Sequence, residues 1–341
     1  MQNFFVTGGA GFIGSAFVRL LLDELPSARI TNFDALTYAG NLDNLQNIDP
    51  ARHQFVRGDI ANRTAVLAAL EGGVDCLINF AAESHVDRSI ASADEFLRTN
   101  VMGTQVLLDA ARERGVGRFV HISTDEVMGS LPEAGDEYFR EDSPFAPNSP
   151  YAASKAAAEH LVRAARHTFG LDTVVTRCGN NYGPRQFPEK FLPLMLANAL
   201  QDEPIPVYGD GCNVRDWIYV EDHCRAILLA LAKGQPGAVY NIGARNERRN
   251  IDVVRSVLDH LDKPHSLMKF VKDRPGHDRR YAIDPSLVEN ELGWRPRETW
   301  DSGLEKTIRW YRDNPEWIAR ARSGAYRDFY SRQYGSEVGA Q

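Results

Sequence analysis

The segment from Phe4 to Asp34 restricts the fold more than any other. The apolar run Phe4-Phe5-Val6 leads into Thr7-Gly8-Gly9-Ala10-Gly11-Phe12-Ile13-Gly14. A helical pattern continues through Leu22, and a second apolar run, Arg29-Ile30-Thr31-Asn32-Phe33, ends at Asp34. Gly9, Gly11 and Gly14 satisfy G-x-G-x-x-G, and Gly8, Gly11 and Gly14 satisfy G-x-x-G-x-x-G, in the strand-to-helix setting the motif requires. There the absence of side chains lets backbone N–H groups approach a pyrophosphate, which the helix N-terminus stabilises through its partial positive charge. A glycine turn alone serves close packing equally well. Asp34 decides between the two, because it stands 20 positions after Gly14, where a carboxylate accepts hydrogen bonds from the ribose hydroxyls of a dinucleotide. It also repels a ribose 2′-phosphate, and neither the glycine loop nor Asp34-Ala35-Leu36-Thr37 contains a Lys or Arg to compensate. NAD is expected rather than NADP.

The strand-turn-helix rhythm recurs. His53-Gln54-Phe55-Val56 precedes Gly58-Asp59, Cys76-Leu77-Ile78-Asn79-Phe80 precedes Ala81-Ala82, and Arg118-Phe119-Val120-His121-Ile122 precedes Ser123-Thr124. Short apolar strands alternating with helices predict an α/β fold with a doubly wound, Rossmann-type parallel sheet. A length of 341 residues favours about two domains. After Val174-Val175-Thr176-Arg177 the rhythm weakens and Pro184, Pro188, Pro193, Pro204 and Pro206 cluster. The expected division is a dinucleotide-binding domain over 1–180 and a smaller α/β substrate-binding region over 181–335. The chain is expected to return to the first sheet near 216–243, at Trp217-Ile218-Tyr219-Val220. Residues 336–341 are expected to fray.

Composition narrows the function. The net charge of −7 disfavours a nucleic-acid surface or a polybasic membrane patch, and no run of 18 apolar residues or basic leader is present. The four cysteines lie far apart without a C-x-x-C pair, and His85, His121 and His223 fit no metal-ligand spacing. A cytoplasmic protein with no metal, nucleic-acid or membrane partner is expected.

Two constellations carry chemistry. Tyr151 and Lys155 stand at i and i+4 behind Pro150, on one face of a helix. A cation favours the phenolate, and bringing a Tyr from about 10 to about 7 takes roughly 4 kcal/mol, which Lys155 and an oxidised nicotinamide would together supply. Ser123-Thr124-Asp125-Glu126 closes a strand at the edge where doubly wound sheets place their sites. Adjacent carboxylates there serve as solvated strand-end residues or, facing an oxidisable substrate in unlike surroundings, divide into an acid and a base, as elimination of water demands. Asp59 is placed to meet an adenine edge or to make a strand-end turn, and Ala81 and Ala82 leave room for a flat cofactor. Arg215, Arg274, Lys190 and Asn181 supply cations and amide donors for a nucleotide diphosphate.

These residues carry a resemblance. The runs Thr7–Ser15, Asp34 to Asn41, Ala81-Ala82-Glu83-Ser84-His85-Val86-Asp87-Arg88-Ser89, Ser123 to Val127, Tyr151–Lys155, Asn180-Asn181-Tyr182-Gly183-Pro184, Arg215-Asp216-Trp217 and Asp273 to Tyr281 resemble the dTDP-glucose 4,6-dehydratase family of the extended short-chain dehydrogenase/reductase superfamily. Tyr-x-x-x-Lys marks only the superfamily, whereas Thr-Asp-Glu and Asp-Arg-Pro-Gly-His are specific to the dehydratases. The resemblance implies a lyase that converts dTDP-glucose to dTDP-4-keto-6-deoxyglucose. Tyr151, with Thr124 and Lys155, takes the 4-hydroxyl proton, Glu126 takes the C5 proton, and Asp125 protonates the departing C6 hydroxyl. It further implies that Gly8, Gly11, Phe12, Ile13, Gly14, Asp34, Leu36, Thr37, Asp59, Ile60, Ala81, Ala82, Thr99, Ser123, Tyr151, Lys155 and Asn181 surround NAD. Ser84, Thr124, Asn180, Asn181, Lys190, Phe191, Pro206, Tyr208, Arg215, Asn250, Arg274, His277 and Tyr281 are implied to surround the dTDP-sugar. A related 4-epimerase, decarboxylase or other nucleotide-sugar dehydratase is the alternative, against which Asp125-Glu126 argues. One departure stands out, since Met128 replaces the Tyr that usually follows the triplet's Val, which puts local hydrogen bonding in doubt. The superfamily also implies a homodimer closed by a four-helix interface. The segments Val101 to Arg112 and Ala156 to Arg166 would form it, with Val101, Val106, Leu107, Leu108, Ala156, Ala157, Leu161 and Val162 as apolar positions and Leu108 as the position to test.

Overall fold

A computed structural model of the chain describes residues 1–322. In chain order the elements are β1 (Asn3–Thr7), α1 (Phe12–Glu24), β2 (Arg29–Asp34), β3 (His53–Arg57), α2 (Arg63–Ala69), β4 (Cys76–Asn79), α3 (Val86–Ala91), α4 (Asp94–Phe96), α5 (Thr104–Glu113), β5 (Arg118–Thr124), α6 (Pro150–Phe169) and β6 (Thr173–Cys178). They continue as β7 (Asn180–Tyr182), α7 (Phe191–Leu200), β8 (Ile205–Tyr208), β9 (Val214–Tyr219), α8 (Val220–Lys233), β10 (Val239–Ile242), β11 (Glu247–Arg249), α9 (Asn250–His260), β12 (Met268–Val271), α10 (Ser286–Leu292), α11 (Trp300–Asp313) and α12 (Pro315–Ala321).

Seven strands form one parallel sheet in the order β10-β6-β5-β4-β1-β2-β3. Strand order reverses between β1 and β4, and a crevice opens at the carboxyl ends on either side of such a switch point. Alternation along β1 covers both faces. Phe4 and Val6 enter one core with Phe17, Val18 and Leu21 of α1, while Phe5 enters the opposite core with Leu107 of α5 and Val162 of α6. Each such buried side chain contributes about 1.5–3 kcal/mol relative to exposure.

Helix α6 has well-defined ends. The Ser149 side chain accepts from the Ala152 N–H at 3.1 Å, Pro150 occupies the first turn, and Gly170 closes the helix at φ 71°. These caps set where Tyr151 and Lys155 fall along the sheet edge.

The second region has its own core, with Leu196 of α7, Val207 of β8, Val257 of α9 and Leu304 of α11. It contains a three-stranded sheet, β11-β9-β7, and a two-stranded one, β12-β8. Here the structure corrects one expectation. Trp217-Ile218-Tyr219 lies in β9 and pairs with β7 and β11, and Val220 opens α8. The return to the large sheet is made by β10 beside β6. Strand period alone does not say which sheet a strand joins. Residues 336–341 lie outside the described residues.

Candidate active site

A cavity of about 460 Å³ lies over the carboxyl ends of the large sheet and is walled on its far side by the second region. Every residue expected around cofactor or substrate lines it except Leu36 and Tyr281.

On the cofactor side the loop lies tight against β4. Gly8 has φ +68°, and a Cβ there would sit 2.6 Å from the Ala81 nitrogen, while a Cβ on Gly14 would collide with the Gly8 carbonyl. Only glycine permits that approach. Asp34 is buried, with Oδ2 accepting from the Ala10 N–H at 2.9 Å and Oδ1 from the Leu36 N–H at 2.8 Å. Burial raises its pKa, and the two backbone bonds oppose that rise. The Leu36 backbone, at φ 53°, thus holds Asp34, and Leu36 itself does not line the cavity. Asp59 accepts from the Ala61 N–H at 2.8 Å and pairs with Arg98. A side-chain-free cradle ending at a fixed carboxylate fits an adenine dinucleotide with an unmodified ribose.

Deeper in the cavity, Thr124 caps a short turn at the end of β5. Its Oγ1 accepts from the Glu126 N–H at 3.3 Å and donates to Asp125 Oδ1 at 3.3 Å. The two carboxyl groups then diverge. Asp125 is 2% exposed, and burial first, then the neighbouring Glu126, pushes its pKa well above the usual carboxylate range. Glu126 is raised by burial too, but Arg274, Arg215 and Lys190 all act to lower it. The two carboxyl groups thus stand in unlike surroundings, Asp125 pushed up further and Glu126 faced by three cations.

Tyr151 and Lys155 reach the same cavity, with one difference from expectation. Burial, and next the Glu126 charge, pushes the Tyr151 pKa well above its ordinary value. A hydrogen bond with Thr124 opposes that rise, while Lys155 Nζ donates to the Ile122 carbonyl at 2.7 Å and lies 3.3 Å from His121 Nε2. Its own pKa falls to about 8 through burial. Burial therefore works against the phenolate, which charge arriving with an oxidised nicotinamide would favour.

The substrate side is built from distant segments. Lys190 Nζ donates to the Ser84 carbonyl at 2.5 Å, Arg274 pairs with Asp87 at 3.0 Å, and Tyr208 donates to the other oxygen of Asp87 at 3.1 Å. Arg215 is buried, donating to the carbonyls of Val214 and Asp278 at 2.7 and 2.8 Å. Tyr281 lies behind it, its ring 4.2 Å from the guanidinium carbon and its hydroxyl bonded to Asp278, so it shapes the site through Arg215. His277 accompanies Asp273 at 2.6 Å. Sequence reasoning passed over Asp87 and Glu189. Asp87 sat inside a quoted motif, but its partners are known only from the fold. Glu189, paired with Arg88 at 3.0 Å, stands in a proline-rich loop without periodicity.

Met128 does not line the cavity. It is 3% exposed and packs with Val127, Leu131 and Phe139, its sulfur 3.5 Å from Arg177 Nη1. The buried Arg177 is held by Glu159 at 2.9 to 3.1 Å. A thioether is satisfied there by packing, so the missing phenol leaves no cavity-facing gap.

Comparison with known proteins agrees with this geometry. Residues 5–307 match the family model described as GDP-mannose 4,6 dehydratase. The dTDP-glucose 4,6-dehydratase of Xanthomonas campestris pv. campestris (strain B100) is 50% identical, over 96% of this chain and 98% of that one. Among solved structures, DesIV, a dTDP-glucose 4,6-dehydratase from Streptomyces venezuelae crystallised with NAD, superposes with a TM-score of 0.90 at 49% identity, covering 94% of this chain and 100% of its own. The dTDP-glucose 4,6-dehydratase of Bacillus anthracis str. Ames, in complex with NAD, has a TM-score of 0.88 at 45% identity, covering 94% and 100%. The chain belongs to the GDP-mannose 4,6 dehydratase family and, within it, to the dTDP-glucose 4,6-dehydratases.

Proposed function

We propose that the chain converts dTDP-glucose to dTDP-4-keto-6-deoxyglucose as an NAD-dependent hydro-lyase. The observation that carries the reading is the unequal pair Asp125 and Glu126, in one cavity with Tyr151. When bound, NAD supplies a hydride acceptor that also gives the hydride back. Tyr151, beside Thr124, takes the proton of the sugar 4-hydroxyl. The ketone formed at C4 acidifies C5, and Glu126 removes that proton. Asp125 delivers its proton to the C6 hydroxyl, which leaves as water; hydride then returns to C6 while Glu126 gives a proton back to C5. Arg215, Arg274 and Lys190 meet the diphosphate and sugar. A 4-epimerase needs no such acid and base. Incubation with dTDP-glucose and UDP-glucose, followed by mass analysis, separates the readings. Loss of one water from the dTDP-sugar supports dehydration, and an unchanged mass with inversion at C4 supports the epimerase.

The cofactor preference rests on Asp34. Asp34→Ala should weaken NAD binding and relax discrimination against NADP by about 1–3 kcal/mol, the scale of a lost charged hydrogen bond. Titration calorimetry with both cofactors checks this, and an unchanged preference would place the selection elsewhere.

Residues 1–180 form the cofactor domain and also carry the reacting groups, and residues 181–335 mainly serve the nucleotide, with β10 returning to the large sheet, in a cytoplasmic homodimer. No helix among the described residues is long and apolar enough to cross a membrane. Leu107, Leu108 and Val162 are buried inside the subunit, so Leu108 is not the residue to test an interface. Met102, just before α5, is 62% exposed, and Val106, Ala157 and Leu161 keep part of their surface. Met102→Glu should shift sedimentation toward monomer with the fold retained. An undisturbed dimer would move the interface to another face.

A further inference from the structure

A row of polar side chains runs beneath Lys155 through the middle of the large sheet. Thr7 of β1 is in register with Asn79 of β4, and Asn79 with His121 of β5. Thr7 and His121 are 0% exposed and Asn79 1%. Thr7 Oγ1 donates to Asn79 Oδ1 at 2.6 Å, the Asn79 amide nitrogen lies 3.2 Å from His121 Nδ1, and His121 Nε2 lies 3.3 Å from Lys155 Nζ. At its far end Thr7 Oγ1 also accepts from the Ala81 N–H at 3.3 Å, against the glycine loop. Apolar residues at these central positions would pack without the desolvation cost of a buried polar network, so the row needs a reason.

The chemistry of the row supplies one. Burial and the Lys155 charge hold His121 neutral. A neutral imidazole has one donor and one acceptor nitrogen, and an amide side chain carries both a donor and an acceptor. The row therefore serves Lys155 in either proton state. Toward the amine, Nε2–H donates while the Asn79 nitrogen donates to Nδ1, as the amide lies here; toward the ammonium, Nε2 accepts once the Asn79 amide turns over, its oxygen receiving Nδ1–H and its nitrogen donating to Thr7 Oγ1. The other titratable groups facing Lys155 are Glu159 on its own helix and Cys178 of β6. Glu159 is taken up by Arg177, and Cys178 offers only the weak hydrogen bonding of a buried thiol.

We propose that His121, backed by Asn79 and Thr7, is a positioning residue for the oxidation step, holding Lys155 in place in both of its proton states. The inference rests on Lys155 assisting Tyr151 in the oxidation step, the role the resemblance implies. His121 does not line the cavity, so its loss should spare substrate binding. His121→Leu should lower kcat about tenfold or more, the scale of a misplaced catalytic group, with KM for dTDP-glucose nearly unchanged. A buried ammonium loses more than an amine when its polar neighbour goes, so the alkaline limb of the kcat profile should move to lower pH. His121→Gln keeps a donor and an acceptor and should restore both rate and profile. A folded His121→Leu enzyme with native kcat and profile would overturn the proposal, as would a His121→Gln enzyme no better than His121→Leu. Lys155→Met made in parallel keeps the two claims apart. If Lys155→Met works at full rate, the reading of Lys155 fails; if it is inactive while His121→Leu is intact, only the present inference fails. The wild-type enzyme gives a measurement that needs no variant to fold. Nitrogen NMR of labelled His121 should show a change of tautomer, without protonation, across the pH range in which Lys155 titrates. One tautomer throughout that range would contradict the proposal.

Discussion

Glu126→Gln should reduce bound NAD when mixed with dTDP-glucose and then stop. The substitution keeps the shape of the side chain and leaves Tyr151, Thr124 and Lys155 untouched, so oxidation at C4 proceeds. What it removes is the base that Arg274, Arg215 and Lys190 keep available for the C5 proton. Turnover should fall by about a hundredfold to ten-thousandfold, the range a positioned general base contributes. Stopped-flow absorbance should show the cofactor reduced and persisting, and in deuterated water C5 should take up no label. Full turnover, or C5 exchange at the native rate, would assign the base elsewhere.

Tyr151→Phe should block the earlier step. The phenol is the group assigned to the 4-hydroxyl proton, since burial raises the Asp125 pKa and disfavours its carboxylate, and Lys155 points its donors at Ile122 and His121. Reduction of the cofactor on mixing should slow by about a hundredfold or more, with substrate affinity largely retained. The two variants thus separate in the transient, one showing cofactor reduced and trapped, the other cofactor never reduced. Rapid reduction in Tyr151→Phe would transfer the role of base to Thr124 or Lys155.

Much of this site is legible in the residues before any fold is known, because the determining interactions are local. The glycine loop and Asp34 lie within one strand-helix-strand unit, Tyr151 and Lys155 are one helical turn apart, and Asp125 and Glu126 are adjacent. The division of labour between the two carboxyl groups is not local. It depends on cations at 190, 215 and 274 converging on Glu126 while Asp125 is sealed beneath it. Arg274 itself is held by Asp87, 187 residues away in sequence. The same limit explains the other differences. Leu36 and Tyr281 stand within motifs but act through a backbone N–H and through an arginine they support. Trp217 has the alternation of a strand whichever sheet it joins. Leu108 has the apolar character of an interface residue and of a core residue alike, and the structure buries it. The tension between Tyr151 and its surroundings arises from burial, which helix spacing does not report.

The central claim is that a single hydride leaves C4 and returns to C6 within one catalytic cycle, with water lost between. Incubating the enzyme with dTDP-glucose carrying deuterium at C4, and locating the label by NMR, tests it most directly. The account predicts a product lighter by one water with the deuterium at C6 of the same sugar. Deuterium still at C4, or a dehydrated product that has lost its label to solvent, would contradict it.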